Sequence, residues 1–127
     1  VARRRISDQD GRAALAIVRA GGAARPAVAT AVRYLLEELA AIAPGNSVEV
    51  RVPPFGATQC VAGPRHSRGT PANVIEMDAE TWLALATGAL GWDDAMAAAR
   101  VIASGSRATL DGLLPIVRSA EAPTPTA

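Results

Sequence analysis

Cys60 and His66 are the sole thiol and the sole imidazole of this 127-residue chain. A thiol beside an imidazole is the simplest nucleophile–base pair a protein can build. Glu76, further along, could orient the imidazole as a third member. Such a pair works only on a strained turn that presents the sulfur, with glycine-rich backbone donors nearby to hold an oxyanion. Neither surrounds Cys60, which falls in Ala57-Thr58-Gln59-Cys60-Val61-Ala62, a strand-like run. A buried, inert thiol is therefore the first reading and catalysis a distant second. One Cys, one His and scattered carboxylates do not make metal-ligand spacing either, so no metal and no cofactor are expected.

A second charged group invites a different chemistry. Arg65, His66 and Arg68 place two fixed positive charges and one titratable group on a single loop bracketed by Gly63-Pro64 and Thr70-Pro71. Either this is a solvated hairpin loop or it is a cationic rim that pairs with a carboxylate or phosphate headgroup. The adjacent acids Glu37-Glu38 and Asp93-Asp94 point in different directions on helices, and serve solvation and helix-end electrostatics respectively.

Composition narrows the function classes. Half of the residues are hydrophobic but only 3% are aromatic, so small and branched side chains must fill the core. Net charge is +1, and all 13 basic residues are arginine, dispersed among acids. No field strong enough for nucleic acid or an anionic membrane follows from that. No apolar run approaches the roughly 20 residues that span a bilayer, so stable membrane insertion is not expected. The basic cluster Arg3-Arg4-Arg5 is followed by Asp8, Asp10 and Gly11 where a signal peptide needs apolar residues. With a lone cysteine, these features lead to the expectation of a cytoplasmic protein.

The elements that position these residues are legible from their periods. Residues 13–20 predict a short helix ended by Gly21-Gly22. Residues 26–42 predict the most secure one: Pro26 opens it, and Val28, Val32, Leu35, Leu36, Leu39 and Ile42 form one apolar stripe. The period then changes to two. Ser47-Val48-Glu49-Val50-Arg51-Val52 predicts a half-buried strand, Pro53-Pro54-Phe55-Gly56 a turn, and residues 57–62 the return strand of a hairpin. Phe55 is expected to plug that end of the core. Residues 72–77 predict a third strand, and three strands so close together suggest an antiparallel meander.

Asp78 is placed to cap the helix that follows, whose apolar face carries Trp82, Leu85, Ala86 and Ala89. Gly88 and Gly91 break the run before a helix with Trp92, Ala95, Met96 and Ala99. Residues 100–104 predict a short strand. Thr109 then caps a closing helix holding Leu110, Leu113, Leu114 and Val117, limited to a turn or two by Pro115.

In that order the chain resembles the sterol carrier protein family, in its short bacterial branch. The likeness runs over residues 47–116. It is carried by WLALATGALGWDDAMAAARVIASGSRATLDGLLP, with the break Thr87-Gly88-Ala89-Leu90 and the strand end Ala103-Ser104-Gly105. AVRYLLEELA and NSVEVRVPPFGATQC extend it to roughly residues 26–117. The resemblance implies an α+β fold, a mostly antiparallel five-stranded sheet with helices packed on one face. It also implies an apolar cavity between sheet and helices, for a fatty acid, an acyl chain or a sterol-like lipid, with no covalent chemistry, and a closing helix over the cavity mouth. The organisation expected is an N-terminal arm with a short helix (1–25), the sterol-carrier-like domain (26–117) and a flexible tail (118–127).

The candidate lining of that cavity is Leu35, Leu39, Trp82, Leu85, Trp92, Met96, Leu110, Leu113 and Leu114. Core packing is the competing role for the tryptophans, and core or lid are both open for the final leucines. The function expected is non-catalytic binding of a hydrophobic small molecule. The alternative is an accessory domain with a closed core that docks a partner enzyme. A continuous apolar cavity would favour the first, and a filled core with an exposed apolar patch the second.

Overall fold

The structure is a computed structural model and describes residues 6–64 and 72–117. In chain order the elements are α1 (Asp8–Arg19), α2 (Arg25–Ile42), β1 (Val48–Val52), β2 (Gly56–Cys60), β3 (Asn73–Glu76), α3 (Ala79–Thr87), α4 (Trp92–Ala97) and β4 (Ile102–Ser104). The α+β class is as expected.

Two features of the sheet are not. The described residues contain four strands rather than five, in the order β2-β1-β3-β4. The sheet is also mixed, because β3 runs parallel to β1 with Val50 opposite Ile75, while β1–β2 and β3–β4 are antiparallel. The meander fails because β3 lies beside β1, not β2. The inward side of β1 is Val48, Val50 and Val52, all fully buried, whereas β2 offers Gly56, Thr58 and Cys60. Ile75 buries more apolar surface beside the valines. Asn73 fixes the register: its side-chain amide N–H donates to the Ser47 carbonyl at 2.9 Å. Its amide oxygen accepts from the Arg107 backbone N–H at 2.8 Å, just past β4.

One face of the sheet carries the helices. α2 forms over the predicted span because its apolar stripe closes on that face, and Val32, Leu35, Leu36 and Leu39 are buried with the β1 valines. Arg33 and Arg25 leave the stripe for the β1–β2 turn. The Arg33 Nε–H donates to the Phe55 carbonyl at 2.7 Å, and the Arg25 guanidinium lies 5.1 Å from the centre of the Phe55 ring. Phe55 is partly buried against the core.

α1 starts earlier than its apolar residues indicate. Ser7 is its N-cap, accepting from the Asp10 N–H at 3.0 Å, and Asp8 and Asp10 favour the positive end of the helix dipole. The helix lies across α2 through Gly11, which faces the Tyr34 ring. A Cβ at position 11 would come within 2.2 Å of two ring atoms. The Tyr34 hydroxyl donates to Asp8, which also pairs with Arg12 at 2.9 Å.

α3 is bounded as its sequence demands, with Asp78 accepting from the Thr81 N–H at 2.8 Å and Gly88 in the left-handed region at φ 86°. The closing helix expected after Thr109 is absent. Residues 109–117 form turns, with Gly112 at φ 88°, and the Thr109 hydroxyl accepts from the Asp111 N–H in a local turn. A left-handed glycine followed closely by proline leaves too few helical positions to repay nucleation.

Gly11→Ala should lower stability even though Gly→Ala in a helix ordinarily raises it. The Tyr34 ring must move, at a cost of about 1–3 kcal/mol. A thermal melt should show a fall in Tm, and an unchanged or raised Tm would mean that α1 is not seated on Tyr34. Asp78→Ala should cost about 1 kcal/mol as a lost cap. The Thr81 hydroxyl nearby, and then the bond from the Thr81 backbone N–H, hold the Asp78 carboxyl below its ordinary value. Its contribution is therefore complete at neutral pH and lost as pH falls through that lowered value. Denaturant melts of Asp78→Asn, which keeps an acceptor at every pH, should show a shallower acid limb than the native chain.

Candidate functional site

The predicted lining residues divide into three groups. Leu35, Leu39, Trp82, Leu85 and Leu110 are fully buried in the single core between α2, α3 and the sheet. Trp82 fills the middle of that layer, and its indole N–H donates to the Val32 carbonyl at 3.2 Å. Among the described residues, these five side chains have no exposed surface between α2, α3 and the sheet.

Leu85 also reaches the second group. With Leu90, Trp92, Leu114 and Pro115 it lines a cleft of about 180 Å³, where the end of α3, the start of α4 and the 109–117 segment meet. Gly88 and Gly91 form part of its wall. The segment is held at both ends: Leu110 is buried in the core, and the Ile116 and Val117 N–H groups both donate to the Ala86 carbonyl, at 2.8 and 2.9 Å. Met96 and Leu113 form the third group. Met96 is 40% exposed on the outer side of α4, and Leu113 is half-buried against the core. Neither lines the cleft.

On the other side of Gly88 lies a larger groove of about 430 Å³ between α1 and α3. Leu15, Val18 and Arg19 come from α1, and Leu83, Ala84, Thr87, Gly88 and Ala89 from α3 and its end. The Thr87 hydroxyl is spent on its own helix, donating to the Leu83 carbonyl at 2.7 Å. This groove was not legible from spacing. Leu15 and Val18, three apart on α1, signalled a contact but not its partner. A third groove, about 590 Å³, separates α1 from the start of α2 and includes Ile6, Ala13, Ile17 and Pro26.

Arg65, His66 and Arg68, the expected cationic rim, lie outside the described residues, so the rim's geometry and the distance from Cys60 to His66 do not enter the site. Cys60 itself is fully buried, and burial pushes its thiol up to about 11. Among the described residues no three His, Cys, Asp or Glu side chains are grouped to hold a metal ion, and no helix is long and apolar enough to cross a membrane.

A helical layer over one face of a small mixed sheet, with a turn-rich segment at the far end, defines the class of protein as an α+β domain. The chain belongs to the family described as bacterial SCP ortholog, SCP being sterol carrier protein, which matches residues 24–116. A search of curated proteins finds no match. The matched segment begins at the N-cap of α2, so α1 and its face of the larger groove lie outside it.

The Cys60 thiol should be almost inert to a disulfide reagent at neutral pH in the folded protein and react fully once denaturant is added. Because the folded state holds the thiol protonated, stability should fall as pH rises from the ordinary thiol value of about 9 towards 11. Cys60→Ala should lack that component of the alkaline limb, and rapid native-state labelling would show that the sulfur is accessible after all.

Proposed function

We propose that this protein binds the tail of a lipid or similar apolar molecule without covalent chemistry, at the end of the domain where the 109–117 segment meets α3 and α4. The observation that carries this reading is the convergence of Leu85, Trp92 and Leu114 on one cleft, whose lining is mostly apolar and includes one carboxylate, Asp111. Membership of the bacterial sterol carrier family supports it.

The cleft's 180 Å³ is less than the roughly 300 Å³ at which ligand pockets begin. A tail is therefore accommodated by displacement of residues 111–115, which have no helical ladder to break and lie between Leu110, buried in the core, and the bonds of Ile116 and Val117 to the Ala86 carbonyl. Each methylene taken from water contributes about 0.8 kcal/mol before ordering costs. Affinity can thus be useful with little polar recognition. The high Cys60 pKa and its burial favour a role in binding over one in nucleophilic chemistry.

A second reading is favoured by the filled core and by exposed Ile17, Ile102 and Met96. In it, the closed domain docks a partner enzyme through its outer surface.

Titration of the protein with a fluorescent long-chain fatty acid should be saturable and accompanied by a change in Trp92 emission that Trp92→Phe abolishes. Leu114→Asp should weaken binding by about tenfold or more, by placing a charge where the tail lies, when measured at a temperature at which its melting curve shows it folded. Unaltered affinity in Leu114→Asp would remove the cleft from the site. Protein that stays empty with every chain tested, by fluorescence and by native mass spectrometry, would leave docking as the function.

A further inference from the structure

The groove of about 590 Å³ between α1 and the start of α2 has a mostly apolar lining. It shares no residue with the cleft proposed for the tail. Ala13 and Ala14 of α1 and Ala24 and Ala27 of α2 lie along it, and side chains so small leave room between the two helices. Ile17 stands at one end and is 51% exposed. The turn between the helices braces it there. The Gly22 N–H donates to the Ile17 carbonyl at 2.9 Å, and a Cβ on Gly22 would come within 2.6 Å of the Ile17 Cγ2. An aliphatic side chain held outward in this way loses little freedom when a partner covers it.

The two ends of the groove differ in charge. Asp10 lines the end nearer the start of α1. It is exposed, and its carboxylate has no ion pair among the described residues. The other end is the first turn of α2. Its N-cap, Ala24, offers no side-chain acceptor, and the turn holds no acid and begins with Arg25. Free peptide N–H groups and an arginine make that end positive. On its own chain Asp10 cannot reach it. Gly11, next in sequence, packs on Tyr34, which lies about 13 Å along α2 from Arg25.

A second copy can. A two-fold axis at the middle of the groove, near Ala13, turns the second copy end for end. Each Asp10 then meets the other copy's uncapped α2, and each Ile17 meets the other's alanine-lined space. The face is self-complementary in shape and in charge. We infer that it is a homodimer interface, with Ile17 of each copy in the other's groove and Asp10 of each at the start of the other's α2. This goes beyond the tail-binding reading and does not depend on it. Half of the interface is α1, which lies outside the family-matched segment. One groove is small beside the roughly 20–30 residues a side of a permanent interface, so the pairing is weak and reversible.

Sedimentation velocity on the full chain should show monomer at about 5 µM passing to dimer by about 500 µM, by mass action at a weak interface. Ile17→Gln should remove the dimer over that range, because each dimer loses two apolar contacts. Asp10→Asn should weaken it about three- to thirtyfold, through loss of a charge from each of two helix ends. The native affinity should fall as salt is raised. Met96→Gln, which removes an exposed apolar side chain from α4, should leave association as in the native protein. Circular dichroism at the low concentration checks that each variant is folded. Under mild oxidation Ala13→Cys should form a disulfide-linked dimer, because the two-fold axis brings position 13 close to its counterpart. Ala97→Cys, exposed on α4, should not, and the native Cys60 is buried.

Native protein that stays monomeric at every concentration would overturn the interface. So would a dimer indifferent to both Ile17→Gln and Asp10→Asn, or one trapped by Ala97→Cys and not by Ala13→Cys. A dimer formed only after removal of residues 1–5 would give the groove to the chain's own first residues, and would overturn it too.

Discussion

The packing of Trp82 between α2 and the sheet is the contact on which the rest of the domain depends. Its ring is the largest fully buried side chain in the structure, in a chain whose other core residues are mostly alanine, valine and leucine. Burying an indole requires a partner for its N–H, and the Val32 carbonyl in the middle of α2 supplies one. That bond joins two elements fifty residues apart in sequence. It also sets where α3 lies, and hence where Gly88 ends it and where the 109–117 segment must return. With so few aromatics, losing this ring would leave a void that the neighbouring small side chains could not collapse to fill.

The same packing shapes the function. With Trp82, Leu35, Leu39 and Leu110 fully buried between sheet and helices, the proposed ligand site falls at the edge of the core, beside a segment without regular hydrogen bonding. Regions of this kind open at lower cost than helices or strands. A closely packed core and the proposed tail binding are therefore compatible, provided residues 111–115 are the part that moves while Leu110 stays in the core. Gly88 lines both the groove and the cleft, where α3 ends beside this segment.

Electrostatics are local rather than global. With a net charge of +1, the protein exerts no broad field, and individual charges act at short range. Asp78 caps α3, Asp8 receives the Tyr34 hydroxyl and Arg12, and Arg51 pairs with Glu49 on the open face of the sheet.

Much of the architecture was written in residue periods. The stripe of α2, the alternating valines of β1, the proline–glycine turn to β2 and the Asp78 cap each act within a few residues, so each is readable where it stands. The family was legible too, because the order of these local signals is itself distinctive. What only the tertiary structure decided depends on competition between distant segments. β3 chose β1 over β2 because the β1 valines bury Ile75 better and Asn73 can reach Ser47. The last leucines did not form a helix, because Gly112 and Pro115 deny it length. Trp82 became core while Trp92 came to line a cleft, although both lie on apolar helix faces in the sequence. Periodicity states which way a side chain faces, and only the assembled chain states what it faces.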